Sequence, residues 1–151
     1  MFFYRRTLGV LVSCLLAVPA CAFTFSYGSL FNVVGVESQD GIVKLPLTRK
    51  KYTNVKVLSK PMYNFLQACE RDCTYPISQQ KFNVTEYRVA ASDSKMLIVQ
   101  VKFNEDLLLT VLAFKNKEKV SVKFPETVRF KDKNLQKQVQ QTVLQLATDN
   151  L

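Results

Sequence analysis

Residues 92–124 read SDSKMLIVQVKFNEDLLLTVLAFKNKEKVSVKF, and their periodicity decides the fold. Leu97, Val99, Val101 and Phe103 recur at every second position, which places them on one face of a strand. Asn104-Glu105-Asp106 reverses the chain. Leu107 to Phe114 is apolar at both parities, as a strand buried on both faces must be. Lys115-Asn116-Lys117-Glu118 reverses the chain again, and Val120, Val122 and Phe124 then alternate with Ser121 and Lys123. Short polar turns between such runs predict an antiparallel meander.

The flanks of the meander supply the helices and the remaining strands. On its C-terminal side, Pro125 to Phe130 leads to a segment that Asp132 or Asn134 can cap. There Leu135, Val139, Val143, Leu146 and Ala147 form one apolar stripe, with Gln136, Lys137, Gln140, Gln141 and Gln145 around the rest. A helix with one such stripe packs across a sheet face. On the N-terminal side, Phe82 to Ala91 is rich in strand formers. Ser59 and Pro61 suit the start of a helix. Met62, Phe65, Leu66, Cys69 and Cys73 continue it at i, i+3, i+4, i+7 and i+11, so the spacing predicts a helix reaching to Tyr75-Pro76.

Earlier still, Phe23, Phe25 and Tyr27 alternate with Thr24 and Ser26. Phe31 to Val36, Ile42 to Leu47 and Tyr52 to Leu58 read as further strands, with Ser38-Gln39-Asp40-Gly41 as a turn and Pro46 marking an edge. The expected class is α+β: a mainly antiparallel sheet of about six to seven strands, one short inserted helix, and a C-terminal helix packed on one face.

The N-terminus reads as an export signal. Arg5 and Arg6 precede an uncharged, mostly apolar run from Thr7 to Ala20, and Ala20-Cys21-Ala22 fits a small-x-small cleavage site. The expected organisation is a signal peptide over residues 1–22 and a single domain over residues 23–151, exported to the periplasm or secreted. Val18-Pro19-Ala20-Cys21 also resembles a loose lipobox. It makes Cys21 a candidate lipidation site, so membrane association through a lipid on Cys21 or a retained signal anchor is the alternative to a free domain.

Composition narrows the function classes. The whole chain carries 21 Lys and Arg against 12 Asp and Glu, a net charge of +9, and it has no histidine. The usual general base, pH switch and commonest metal ligand are therefore missing. Four glycines provide no phosphate-cradling loop. Glu86, Asp93, Glu105, Asp106 and Glu126 are scattered over strands and turns, with no pattern that predicts an opposed pair. No catalytic residue, metal site or cofactor is expected, and the chain reads as a non-enzyme.

Two groups of residues remain as candidate sites. Cys69 and Cys73, in Cys-Glu-Arg-Asp-Cys, are close enough in sequence to form a disulfide in an oxidising compartment. Lys115, Lys117, Lys119, Lys123, Arg129, Lys131 and Lys133, with Arg49, Lys50 and Lys51, form two basic runs. These can keep the domain soluble or attract an anionic partner. Asn83-Val84-Thr85 is a glycosylation sequon if the source is eukaryotic.

The leading expectation is an exported, non-catalytic envelope or secreted accessory protein that binds a protein partner or an anionic surface. Nucleic acid is not an expected partner. The alternatives are a periplasmic small-molecule or lipid carrier, and a thiol or Cu(I) redox accessory factor using the Cys-x-x-x-Cys pair with Met62 as a third soft ligand.

Overall fold

The computed structural model describes residues 22–46 and 54–151. The apolar leader, Cys21 and the Arg49-Lys50-Lys51 run lie outside the described residues. Among the described residues, ten strands and two helices follow in the order β1 (Ala22–Tyr27), β2 (Phe31–Gln39), β3 (Ile42–Lys44), β4 (Val55–Val57), α1 (Lys60–Ala68), β5 (Cys73–Tyr75), β6 (Phe82–Ala90), β7 (Asp93–Phe103), β8 (Leu107–Asn116), β9 (Lys119–Lys123), β10 (Val128–Phe130) and α2 (Lys133–Asn150). The class is α+β, as the periodicities require.

The strands divide into two sheets rather than one. The first has the order β10-β2-β1-β5, with β3 on the far end of β2; the second has the order β4-β8-β7-β6, with β9 also on β8. Pairing is antiparallel except between β1 and β5, where Phe25, Ser26 and Tyr27 run parallel to Cys73, Thr74 and Tyr75. The meander appears as β7, β8 and β9. β7 takes one whole edge of β8, from Met96 opposite Phe114 to Phe103 opposite Leu107. The other edge of β8 is shared end to end: Leu107, Leu108 and Leu109 pair with β4, and Leu112 to Asn116 pair with β9. β8 is apolar at both parities because both of its faces are covered: Leu107, Leu109, Val111 and Ala113 face the main core, and Leu112 and Phe114 join a smaller cluster on the other face.

The main core lies between the two sheets and under α2. Its inward residues include Phe25, Tyr27, Phe31 and Val33 from the first sheet and Leu97, Val99, Val101, Phe103, Leu109 and Val111 from the second. Phe103 is its aromatic hub, with ring centroids 5.1 Å from Phe31, 6.2 Å from Phe82 and 6.4 Å from Phe130. The expected stripe of α2 closes one end through Leu135, Val139, Val143 and Ala147. A smaller cluster of Ala90, Met96, Ile98 and Leu112, with Phe114 against it, is separate from this core; in β7 and β8 its members alternate with the inward residues.

The first helix is shorter than the apolar spacing predicts. Ser59 caps it through the amide of Met62, and Pro61 stands in its first turn. It ends at Ala68, because Cys69 turns to extended backbone at φ −76° and ψ 125° while its amide still reaches the carbonyl of Leu66. Cys73 does not continue the stripe. It opens β5 opposite Phe25, and a ladder to a distant strand outweighs the weak preference for one more helical turn. The strand count exceeds the expected six to seven for a related reason. β5 and β10, which the sequence reading did not give as strands, have three residues each, too few to carry a periodic signal of their own.

Candidate functional site

The second sheet ends on β6, whose outer edge pairs with no strand among the described residues. The strand has nine residues, FNVTEYRVA. Register against β7 sets their directions. Phe82, Val84, Tyr87 and Val89 oppose the core residues Phe103, Val101, Val99 and Leu97, whereas Asn83, Glu86 and Arg88 oppose Lys102, Gln100 and Ile98 on the other face. One extra residue at Thr85 shifts the register between Val84 and Glu86, and its hydroxyl donates to the carbonyl of Gln100 at 3.4 Å. A bulge of this kind re-aims the residues that follow it. Here Tyr87 and Val89 stand on the edge strand beside the core residues Val99 and Leu97 and are left 47% and 41% exposed.

Between β6 and α2 runs an open groove. One stretch of about 500 Å³ is lined by Phe82, Val84, Tyr87, Thr142 and Leu146, among others. It adjoins a stretch of about 600 Å³ bordered by Gln138, Gln141 and Gln145. The helix–sheet seam beneath is filled: Val139, Val143, Ala147, Val111 and Ala113 are all 0% exposed. The surface therefore offers a free row of backbone donors and acceptors, an apolar shelf and a border of uncharged amides. Those are the components that bind an extended peptide segment.

A second constellation is polar. The Tyr27 hydroxyl donates to Oδ2 of Asp106 at 2.7 Å and accepts from Nδ2 of Asn104 at 2.7 Å. The other carboxylate oxygen, Oδ1, accepts from the Ser59 hydroxyl at 2.8 Å. Burial, reinforced by Asp106, raises the pKa of Tyr27 well above its ordinary value, with Asn104 opposing. Burial also raises that of Tyr75, which stacks on Tyr27 with centroids 6.1 Å apart. A hollow of about 270 Å³, bounded by Tyr75, Pro76, Ile77, Ser78, Gln79, Asn104 and Asp106, opens beside this network. Both oxygens of Asp106 are already engaged by the chain itself, so the cluster reads as a latch between the two sheets and α1.

The residues singled out from the sequence fall in several places. Cys69 and Cys73 are joined as a disulfide, with Cα atoms 6.3 Å apart. The basic run after residue 114 is divided. Lys115, Lys117 and Lys119 sit at the β8–β9 turn, where Lys115 Nζ donates to the carbonyl of Leu151 at 3.3 Å. Lys123 pairs with Glu126 at 3.6 Å. Arg129, Lys131 and Lys133 are exposed on β10 and at the start of α2. Since α2 has 18 residues and its last residues lie by Lys115, the two groups stand about 27 Å apart. Asn83 is exposed on β6.

No helix among the described residues is long and apolar enough to cross a membrane. No group of three or more His, Cys, Asp or Glu comes together among them. The β6 groove itself was not singled out from sequence; its signal was the pair Tyr87 and Val89, which reads equally well as ordinary core. Comparison of the chain with protein-family models, with curated proteins and with solved structures finds no match.

Proposed function

We propose that this protein is an exported, non-catalytic interaction protein of the cell envelope that docks a protein segment along the outer edge of β6. The observation that carries the reading is a nine-residue edge, unpaired among the described residues, beside an apolar shelf. A bound strand would gain main-chain hydrogen bonds from the edge and side-chain specificity from the groove. The two basic groups at the ends of α2 would contribute long-range attraction for an anionic neighbour, with an effect that fades as salt rises.

The experiment uses a photoreactive residue in place of Tyr87 and, as a control, in place of Lys137 on the exposed side of α2. Both variants are expressed in the source cells and irradiated intact. A discrete adduct at position 87 with none at 137 is the expected result. No adduct at 87, or equal adducts at both positions, overturns the docking surface. Intact mass of the recovered protein tests export separately: a chain starting at Phe23 is expected, and retention of residues 1–22 overturns a cleaved leader.

A further inference from the structure

We infer that the segment docked on β6 is β6 of a second copy, antiparallel about a two-fold axis through Tyr87. This rests on the reading of that edge as a docking surface and names its occupant. The argument comes from charge and register. Glu86 and Arg88 are both exposed, share the parity of β6 opposite to that of Tyr87, and flank Tyr87 symmetrically. Neither forms an ion pair or side-chain hydrogen bond with another described residue. A two-fold axis perpendicular to the sheet keeps each residue on its own face, so only registers that pair like faces are allowed.

Centred on Tyr87, the pairing sets Glu86 opposite Arg88 of the other copy and Arg88 opposite its Glu86. Tyr87 meets its own counterpart. The two neighbouring registers that keep like faces together are centred on Glu86 or on Arg88. Each puts two like charges directly opposite, which is destabilising in a strand pair. The strand is thus complementary to itself in one register and repelled from itself in the adjacent two.

Backbone geometry allows the same register. Pairing with β7 shifts between Val84 and Glu86 and again between Val89 and Ala90, so Glu86 to Val89 is the straight stretch between two irregularities. Tyr87 lies inside it. Joining two copies there makes one ten-stranded sheet from two five-stranded ones. Both α2 helices then lie on the same face, and the two Tyr87 rings cover each other between the two grooves. An exposed edge is an aggregation hazard, and a closed two-fold pair removes it without opening a route to filaments.

The test is sedimentation of the full protein as recovered from its source cells, for the native sequence and for Glu86→Arg and Arg88→Glu. The native chain is expected to be a dimer. Each single variant places like charges across the axis and should weaken association by about tenfold or more. An equimolar mixture of the two variants restores both ion pairs and should restore the dimer, as should the double variant Glu86→Arg/Arg88→Glu. Tyr87→Cys offers a second reading: paired residues in an antiparallel ladder have Cα atoms about 4.5–5.5 Å apart, within disulfide reach. Mild oxidation should therefore give a covalent dimer, whereas Glu105→Cys should not.

A native chain that stays monomeric while photoreactive residue 87 captures a different protein overturns self-pairing and leaves the docking surface standing. A monomer with no adduct at 87 sinks both. A dimer that neither charge reversal weakens places the contact elsewhere and also overturns the pairing.

Discussion

The Tyr27 hydroxyl lies 2.7 Å from Oδ2 of Asp106, a hydrogen bond between residues 79 positions apart that fastens β1 of one sheet to the β7–β8 turn of the other. Asp106 also holds the hydroxyl of Ser59, the residue that caps α1, so three elements meet at one carboxylate.

Tyr27→Phe keeps the ring and removes the hydroxyl. It leaves Oδ2 of Asp106 and an amide hydrogen of Asn104 without this partner, which should cost about 1–3 kcal/mol in denaturant unfolding. The pH dependence has a definite sign. The folded pKa of Tyr27 is raised, chiefly by burial and then by Asp106, so its contribution is complete below the ordinary value of 10.0 and is lost as pH rises beyond it. The native protein should lose stability on the alkaline side of pH 10, and Tyr27→Phe should lose less there. An unchanged alkaline limb would remove Tyr27 as its source.

Gly28 takes φ +54°, and a Cβ built on it would come within 2.8 Å of Ile77 Cδ1 and closer still to Cγ1. Its amide also donates to the carbonyl of Tyr75 at 2.9 Å. Gly28→Ala therefore meets both a left-handed backbone and a filled space, and should destabilise the fold by about 1–3 kcal/mol. Adding Ile77→Ala should relieve the steric share and leave the backbone share. Equal melting temperatures for native and Gly28→Ala protein would contradict the close approach.

The Cys69–Cys73 bond closes a loop of only five residues. Replacing both cysteines with Ala should cost about 2 kcal/mol, a local loss rather than a collapse. Hydrogen exchange should locate it: the amides of β5 should exchange faster, and those of β7 and β8 should keep their protection. Global unfolding of the double variant at room temperature would show that the bond carries far more than its loop length implies.

Asp132 caps α2, accepting from the amide of Leu135 at 3.1 Å and from the side chain of Gln80 at 2.8 Å. The Leu135 amide and then Gln80 lower its pKa below the ordinary 3.8. The stabilisation is present above that value and is lost as pH falls through the depressed pKa. Asp132→Asn retains a capping side chain but does not titrate. It should flatten the acid limb of an unfolding curve followed by helical circular dichroism. An acid limb identical to that of the native chain would assign the loss to other carboxylates.

What was legible in the sequence is what repeats locally. β7, β8 and β9 follow from alternation, α2 from the stripe of Leu135, Val139, Val143 and Ala147, and the capping of α1 from Ser59 and Pro61. Features set by distant pairing were not legible. Cys73 satisfies helical spacing from Met62, yet its neighbour is Phe25, 48 positions earlier in the chain. The run of cations after residue 114 is continuous in sequence and divided in space, because α2 returns across the sheet and separates Lys117 from Lys133 by its own length. The candidate site on β6 was hidden for the same reason. Which strand forms an edge depends on the order of the whole sheet, and neither Tyr87 nor Val89 carries that information.

The place of β10 bears on how the chain reaches this state. Val128, Arg129 and Phe130 pair with Val33, Asn32 and Phe31, so the edge of β2 is covered by residues made long after β2 itself. A hairpin of β1 and β2 can form early, but its sheet stays incomplete until β10 has been made. Contacts of such long separation slow folding, and the early hairpin is exposed to wrong partners while it waits. A chain truncated before Val128 should therefore remain a substrate for chaperones, however well its meander has formed.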